Sequence, residues 1–528
     1  MLIDICQPAT QDGFSNMPRD RVVVIGAGIA GLVSAFALSA RGLEVTLLER
    51  GAAPGGKIRQ VGIGGSRIDS GPTVFTMRWV FDELFAAVGK NFFDHVRLRP
   101  LDTLARHAWD ENNRLDLFAD EGRSAEAIGD FAGAAEAARY RTFCRDTRRI
   151  YDILEKPFLR ASQPSMSGLI GTNGFRGLMR LPQIKPFSSM WSALSQYFHD
   201  PRLRQLFGRY ATYCGSSPFK APATLMLVAH VEREGVWSID GGMHGLARAL
   251  AGSAEALGAA IRYNEEAAEV LTSGGRACGV RLASGERIEA DAVIINADVA
   301  AVAGGFFGIN ARRAAAATPT RARSLSALTW SVVAQADGFP LSRHNVFFSR
   351  DYAAEFDDIF RRDRLPREPT VYVCAQDRDD AAGGDLAEER LLVLVNAPAN
   401  GDRHSYGAAE VEQCAQQTFG VLERCGLRIH RRPEITEVTT PVDFNKLFPA
   451  TGGALYGRSS HGWTASFQRP GARTRVPGLY LAGGSTHPGP GVPMAALSGR
   501  SAAACLMEDL GSISQSPKTA MPGGMSMR

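Results

Sequence analysis

The sequence predicts an α/β fold in which one domain, built on a parallel sheet, is assembled from non-contiguous segments and interleaved with an α+β domain. Three observations carry this expectation. Residues 21–25 form a short β-branched run, 31–40 a small-residue run without charge, and 44–48 a second β-branched run, which together give a βαβ unit. At the other end, 478–484 reads as a strand that closes in glycines and feeds a helix over 494–509. The chain of 528 residues exceeds what one core commonly holds, and large α/β proteins often interleave two domains in one compact body.

Taken in order, residues 1–18 lack periodicity and read as a loose arm, and 19–102 supply the first part of the nucleotide-type domain. Over 103–234 the pattern turns mostly helical, with irregularly spaced Phe, Trp and Tyr, as expected of an inserted segment on the substrate or membrane side. Residues 235–300 return to the first domain through a helix over 242–258 and strands at 261–264, 277–282 and 292–296. Residues 301–450 supply the second domain's antiparallel sheet, with strand-like runs at 325–333, 370–374 and 391–396. Residues 451–510 complete the first domain, and 511–528, rich in Ser, Gly, Pro and Met, form a loose tail.

Hydrophobic residues make up 45% and charged residues 22% of the chain, the balance of a globular protein rather than a disordered one. A net charge of +4 is small for this size and gives no sign of a nucleic-acid partner. The arginine-rich stretches 202–209 and 361–367 read as solvated faces in preference to anionic-membrane contacts. The eight cysteines are scattered without a C-x-x-C, against a zinc site or disulfide framework and in keeping with a reducing compartment. The uncharged stretch 22–40 resembles a membrane span superficially, but its three clustered glycines suit a strand-to-helix turn and weaken a lone helix. No other uncharged apolar run approaches the roughly 20 residues that cross a bilayer, so a soluble or peripheral protein is expected.

Three motifs carry chemistry. Gly26-Ala-Gly-Ile-Ala-Gly31 follows the first strand and opens a helix. Gly26 permits the tight turn, Gly28 the approach of a pyrophosphate, and Gly31 close helix packing. Glu49, at the end of the second strand, is placed to accept both ribose hydroxyls, which argues against a 2′-phosphate and leaves FAD and NAD. Pro54-Gly-Gly-Lys57, read with Asp69-Ser-Gly-Pro-Thr-Val74, favours FAD, because two glycines and a cation give the phosphates a second cradle. Finally, the Gly-rich loop 482–494 ends a strand and opens a helix, so its amides and helix dipole can face the flavin's pyrimidine edge, where negative charge grows on reduction. His487 lies in this loop, facing the substrate or holding structure.

These segments, with Ala465-Ser-Phe-Gln-Arg-Pro470, resemble the flavin amine oxidase superfamily and, within it, the bacterial carotenoid desaturase family related to phytoene desaturase. The resemblance spans residues 21–508. Within that family, the segments 200–213 and 235–244 are most similar to the 1-hydroxycarotenoid 3,4-desaturases, or methoxyneurosporene dehydrogenases, of purple photosynthetic bacteria. The resemblance implies a Rossmann-like FAD-binding domain with an interleaved α+β substrate domain. It implies FAD contacts at Gly26, Gly28, Gly31, Glu49, Gly56, Lys57, Gly71, Pro72, Thr73, Gly484, Val492 and Met494, and a backbone contact to adenine at Val270. Covalent-flavin members use a cysteine just ahead of the C-terminal glycine motif; this chain has none between Cys425 and Cys505, so a non-covalent FAD is expected.

The activity so implied is introduction of the C-3,4 double bond into 1-hydroxy or 1-methoxy acyclic carotenoids of the spheroidene and spirilloxanthin type, with hydride transfer to FAD and oxygen or a quinone as terminal acceptor. No residue stands out as the base, and Asp240, in a glycine-rich stretch, reads more simply as a turn residue. At about 0.8 kcal/mol per buried CH2, a carotenoid does not cross water readily, so it is expected to come directly from a bilayer. That places the protein peripherally on the cytoplasmic side of the inner or intracytoplasmic membrane. Pro157-Phe-Leu159 and 184–198 are candidate docking surfaces, with core packing as the alternative. A 1-hydroxyl in an apolar tunnel needs a partner, and His107, Trp109 and Tyr213 are the candidates. Three other readings stay open: a phytoene-type desaturase, a non-catalytic lipid-binding module of the kind that escorts prenylated small GTPases, and a soluble amine oxidase.

Overall fold

The computed structural model describes residues 20–163, 184–378 and 387–515. The expected arm at 1–18 and residues 516–528 of the expected tail lie outside the described residues. Strand β1 (Arg21–Ile25) is the centre of a five-stranded parallel sheet, with Ala292–Ile295 and then Leu479–Leu481 on one side and β2 (Glu44–Glu49) and then Ala260–Tyr263 on the other. β1 reads as an unbroken apolar run because both sheet faces are covered. Val22 and Val24 pack with helix α1 (Ile29–Ser39), whereas Val23 and Ile25 pack beneath a three-stranded antiparallel sheet, Ala267–Ser273, Arg276–Leu282 and Arg287–Glu289.

α1 starts two residues before its expected position because Gly28, still extended, serves as the N-cap. It packs against the helices Met243–Ala256 and Val492–Gln515. At the second crossing Ser34 Oγ donates to the carbonyls of Ala30 and Gly499 at 2.8 and 3.0 Å, which fastens the end of the chain to its beginning. The closing helix runs to Gln515, into part of the segment expected to be a loose tail.

A seven-stranded sheet forms the second layer system, in the order Thr436–Thr439, Ser326–Ala334, Glu389–Ala397, Val371–Ala375, His344–Phe347, Thr103–Ala108 and Arg114–Phe118. It is antiparallel except between His344–Phe347 and Thr103–Ala108. The mostly helical segment expected from residue 103 therefore opens with a strand hairpin. Its strands alternate apolar residues with Arg106, His107 and Asp116, which hid them, but the Asp-Glu-Asn-Asn turn between them was a legible signal: Asp110 Oδ1 accepts from the amides of Asn112 and Asn113 at 2.8 Å. Helices Glu121–Ala132, Ala134–Leu154, Met190–Tyr197, Pro201–Gly208 and Leu227–Arg233 follow around a core that includes Phe143, Phe198, Phe207 and Tyr210. Met190, Tyr197 and Phe198, expected as docking candidates, are buried in that core. No described helix is long and apolar enough to cross a membrane.

Candidate functional site

A cavity of about 1070 Å³ runs between the two sheet systems. Its nucleotide end is lined by Gly26, Gly28, Glu49, Gly56 and Lys57, and the loops bearing Gly71, Pro72, Thr73, Gly484, Val492 and Met494 join the same wall. Segments more than 400 residues apart thus meet because the closing helix lies on α1.

The local geometry explains the residue types. Gly26 has φ +97°, and a Cβ there would stand 2.5 Å from the Asn296 carbonyl oxygen. Gly31 is not on the cavity wall; it allows the turn to close, since its Cβ would lie 2.0 Å from the Gly26 oxygen. Gly28 caps α1 without a side-chain hydrogen bond, so the helix N-terminus presents bare amides. Glu49 accepts from Ala27 N through Oε2 at 2.8 Å and from Gly51 N through Oε1 at 2.7 Å. Both oxygens keep a lone pair for ribose hydroxyls.

Two cations on the cavity wall, a part-buried Lys57 and a buried Arg469, lack full compensation here. Lys57 Nζ donates to the Leu455 carbonyl at 2.6 Å and lies 3.8 Å from Asp298. Burial pushes its pKa below the usual lysine range against the pull of Asp298, and Arg469 adds to the lowering. Arg469 donates to the carbonyls of Tyr456 and Gly484 at 3.2 Å and of Arg458 at 2.6 Å, and burial lowers it to about 10. A dianionic pyrophosphate or an electron-rich ring edge would relieve both.

The rest of the cavity is largely apolar, with Leu154, Phe158, Leu225, Val228 and Phe467 on its wall. One polar cluster interrupts it. Thr73 Oγ1 and the Tyr372 hydroxyl are 2.6 Å apart, and Tyr372 is 2.7 Å from His344 Nδ1. Arg209 and Tyr213 line the same cavity, backed by Glu232. The sequence reading of 202–209 as a solvated face fails at Arg209, which is only 7% exposed.

Other expected residues fall elsewhere. Val270 is off the cavity wall: its side chain is in the core and its N–H donates to the Phe307 carbonyl at 3.0 Å, while Ala267 and Phe307 line the cavity. Of the three candidates for a hydroxyl partner, Tyr213 alone lines the cavity; Trp109 Nε1 donates to Gln205 at 2.9 Å and His107 Nδ1 faces the Leu115 carbonyl at 3.2 Å. His487 Nε2 faces the Phe158 carbonyl at 2.8 Å, a structural tie. Asp240 pairs with Arg99 at 2.9 Å, outside the cavity.

The family model for flavin-containing amine oxidoreductases matches residues 29–507, which includes every loop of this wall except the start of the first glycine turn. The chain belongs to the flavin-containing amine oxidoreductase family. Within that family it groups with the carotenoid desaturases: it is 58% identical to the hydroxyneurosporene desaturase of Rubrivivax gelatinosus, over 96% of this chain and 97% of that one. The hydroxyneurosporene desaturase of Cereibacter sphaeroides is 44% identical over 94% and 99%. Among solved structures, an oxidoreductase from Methanosarcina mazei superposes with a TM-score of 0.59 at 17% identity, covering 92% of this chain and all of that one, which shows a shared fold.

The flavoprotein's cofactor is FAD, and the wall described above fits it: a helix N-terminus without a side-chain cap, the Glu49 carboxylate and the cations Lys57 and Arg469 line one cavity. Cys214 lines the cavity, and burial pushes its thiol up to about 11, so it stays protonated. Sequence reasoning missed Arg469, Asn296 and Asp298. Arg469 stood in the Ala465 to Pro470 segment that carried the resemblance, and the other two follow the strand Ala292–Ile295, at the carboxyl end of a parallel sheet where ligands collect.

Proposed function

We propose that this chain introduces the C-3,4 double bond into 1-hydroxy or 1-methoxy acyclic carotenoids drawn from a membrane. The observation that carries the reading is the single cavity that joins the flavin loops to an apolar wall and then to exposed aromatic side chains. Phe187 and Trp463 line it while being 80% and 44% exposed, and their rings meet edge to face at 5.4 Å. Such a rim suits a lipid surface, so a polyene can pass from bilayer to tunnel without crossing water. The names of the similar desaturases support the substrate class.

Bound FAD would supply two-electron acceptance for the hydride lost from one carbon as the neighbouring carbon loses a proton, with oxygen or a membrane quinone as the terminal acceptor. The chain's own residues supply position and dryness. Leu154, Phe158 and Phe467 exclude water from the polyene. The carboxylates on the cavity wall among the described residues are Glu49, Glu265, Glu266 and Asp298, all at or just past the carboxyl ends of strands of the nucleotide sheet. None is on the apolar wall, in keeping with a developing charge that delocalises along the polyene and needs no strong base. Peripheral binding on the cytoplasmic face of the inner or intracytoplasmic membrane completes the proposal.

The test is to incubate FAD-loaded protein with liposomes carrying 1-hydroxyneurosporene or phytoene and to follow products by chromatography and visible spectra. A red-shifted product from the hydroxylated chain alone is expected. Conversion of phytoene instead would move the chain to an earlier desaturation step, and conversion of neither, with FAD bound, would overturn the carotenoid reading.

A further inference from the structure

Arg209 is a buried cation on an apolar cavity wall, and its hydrogen bonding is incomplete. Its Nη1 reaches the Tyr213 hydroxyl at 3.4 Å and its Nη2 lies 3.9 Å from Glu232, while Nε and Nη2 have no hydrogen-bond partner. Tyr213 donates to Glu232 Oε1 at 2.6 Å, and Tyr210 donates to the other oxygen. Glu232 therefore balances the charge, and the Tyr213 oxygen retains accepting capacity. Burial opposes the charge of Arg209, but Tyr213 and Glu232 outweigh it and hold the guanidinium protonated. Buried donors without partners are costly in a native protein unless something else occupies them.

The cluster also shares its cavity with the loop Gly71-Pro72-Thr73 and with Tyr372. Tyr372, whose hydroxyl is bonded to Thr73 of the Gly71-Pro72-Thr73 loop, has its pKa pushed up by burial, with Cys374 and the nearby Tyr213 adding to the rise. In a chain oxidised at C-3 and C-4, a C-1 hydroxyl stands only two carbons from the nearer reacting centre. Its partner must lie within a side-chain's reach of the flavin.

We infer that Arg209 and Tyr213 form the subsite for the substrate's tertiary oxygen, Arg209 donating to it and Tyr213 accepting the hydroxyl hydrogen. The inference rests on the functional reading above and deepens it. A hydroxyl engages both residues. A methoxy oxygen, which only accepts, engages Arg209 alone. A site built to hydrogen-bond a hydroxyl rejects the analogue without one, because its own polar groups are then left unpaired.

The experiment measures dissociation constants by quenching of flavin fluorescence, using the full-length FAD-loaded protein in liposomes with 1-hydroxyneurosporene, its 1-methoxy ether and neurosporene, which has no oxygen. Wild type is expected to prefer the hydroxylated chain to neurosporene. Arg209→Met is expected to reduce that preference ~10-fold or more, and Tyr213→Phe several-fold for the hydroxyl with little change for the methoxy ether. Tyr213→Phe keeps the ring and the Arg209–Glu232 pair, so it decides the question should Arg209→Met fail to fold. Wild-type protein that desaturates the hydroxylated chain yet binds all three alike, or a preference that survives both substitutions, would overturn the inference alone. Failure to desaturate the hydroxylated chain would overturn the functional reading with it.

Discussion

Thr73 and Tyr372 share a hydrogen bond of 2.6 Å between side-chain oxygens, and through it a loop of the flavin domain is tied to a strand of the substrate sheet. The second partner of Tyr372, His344 Nδ1, continues the chain into the neighbouring strand. This part of the cavity wall is therefore braced by polar contacts that join the two sheet systems.

Removing the brace has a defined cost. Tyr372→Phe leaves the Thr73 hydroxyl and His344 Nδ1 without their shared partner, at roughly 1–3 kcal/mol of stability. The urea midpoint of the FAD-loaded protein should fall accordingly, with FAD still bound and turnover reduced. An unchanged midpoint would mean that the hydrogen bond contributes nothing.

Acid should destabilise the protein through its buried histidines. Burial lowers His107 and His344 to about 3, with Arg209 and Arg343 adding to the effect. The unfolded chain takes up protons near pH 6.5 where the folded one does not, so stability is full above that pH and is lost as pH falls toward 3. Each histidine gives up roughly 2 kcal/mol between pH 7 and pH 5. Glu355, pushed up to about 7 by burial, acts in the opposite direction and offsets about one of them. Denaturation midpoints at pH 7 and pH 5 check the net sign, and His344→Gln should reduce the difference.

FAD should be dissociable and should depend on Glu49. Acid precipitation is expected to release all flavin into the supernatant. Glu49→Gln keeps the shape but weakens the charge-assisted bonds to ribose, and an affinity loss of about 1.5–3 kcal/mol, or ~10- to 100-fold, should appear in a flavin titration. Wild-type apoprotein given FAD at 100 times its Kd should gain about 2.7 kcal/mol. Flavin retained in the precipitate would instead reveal a covalent link.

Membrane capture should depend on the exposed rim. Replacing Phe187 and Trp463 together with serine removes apolar area that lipid would cover, at ~1.5–3 kcal/mol for a fully buried side chain. Liposome sedimentation should fall at least ~10-fold while the thermal midpoint stays in place, because neither side chain belongs to a core cluster among the described residues. Full retention of liposome binding would place the contact elsewhere.

What was legible in the sequence is local. The strand, glycine turn, helix and second strand of residues 21–49 follow from β-branching, small residues and spacing, and Glu49 meets Ala27 because a βαβ unit of that length leaves the two together. The hairpin at 103–118 was obscured because its strands mix charges with apolar residues, although its turn was written in Asp110 and Asn113. Val270 entered only through the family resemblance, and the partner of its backbone N–H, the Phe307 carbonyl, lies well beyond the local pattern.

Arg209 marks the boundary most clearly. By itself the sequence determined the nucleotide-binding end, since turns, helix starts and strand ends are set by neighbours a few residues apart. Only the tertiary structure decided that one arginine of a basic stretch turns inward, beside Tyr213 and against a carboxylate from the helix Leu227–Arg233. A charge is buried only where a distant segment brings its counter-charge, and that partner is supplied by packing, which local pattern does not encode.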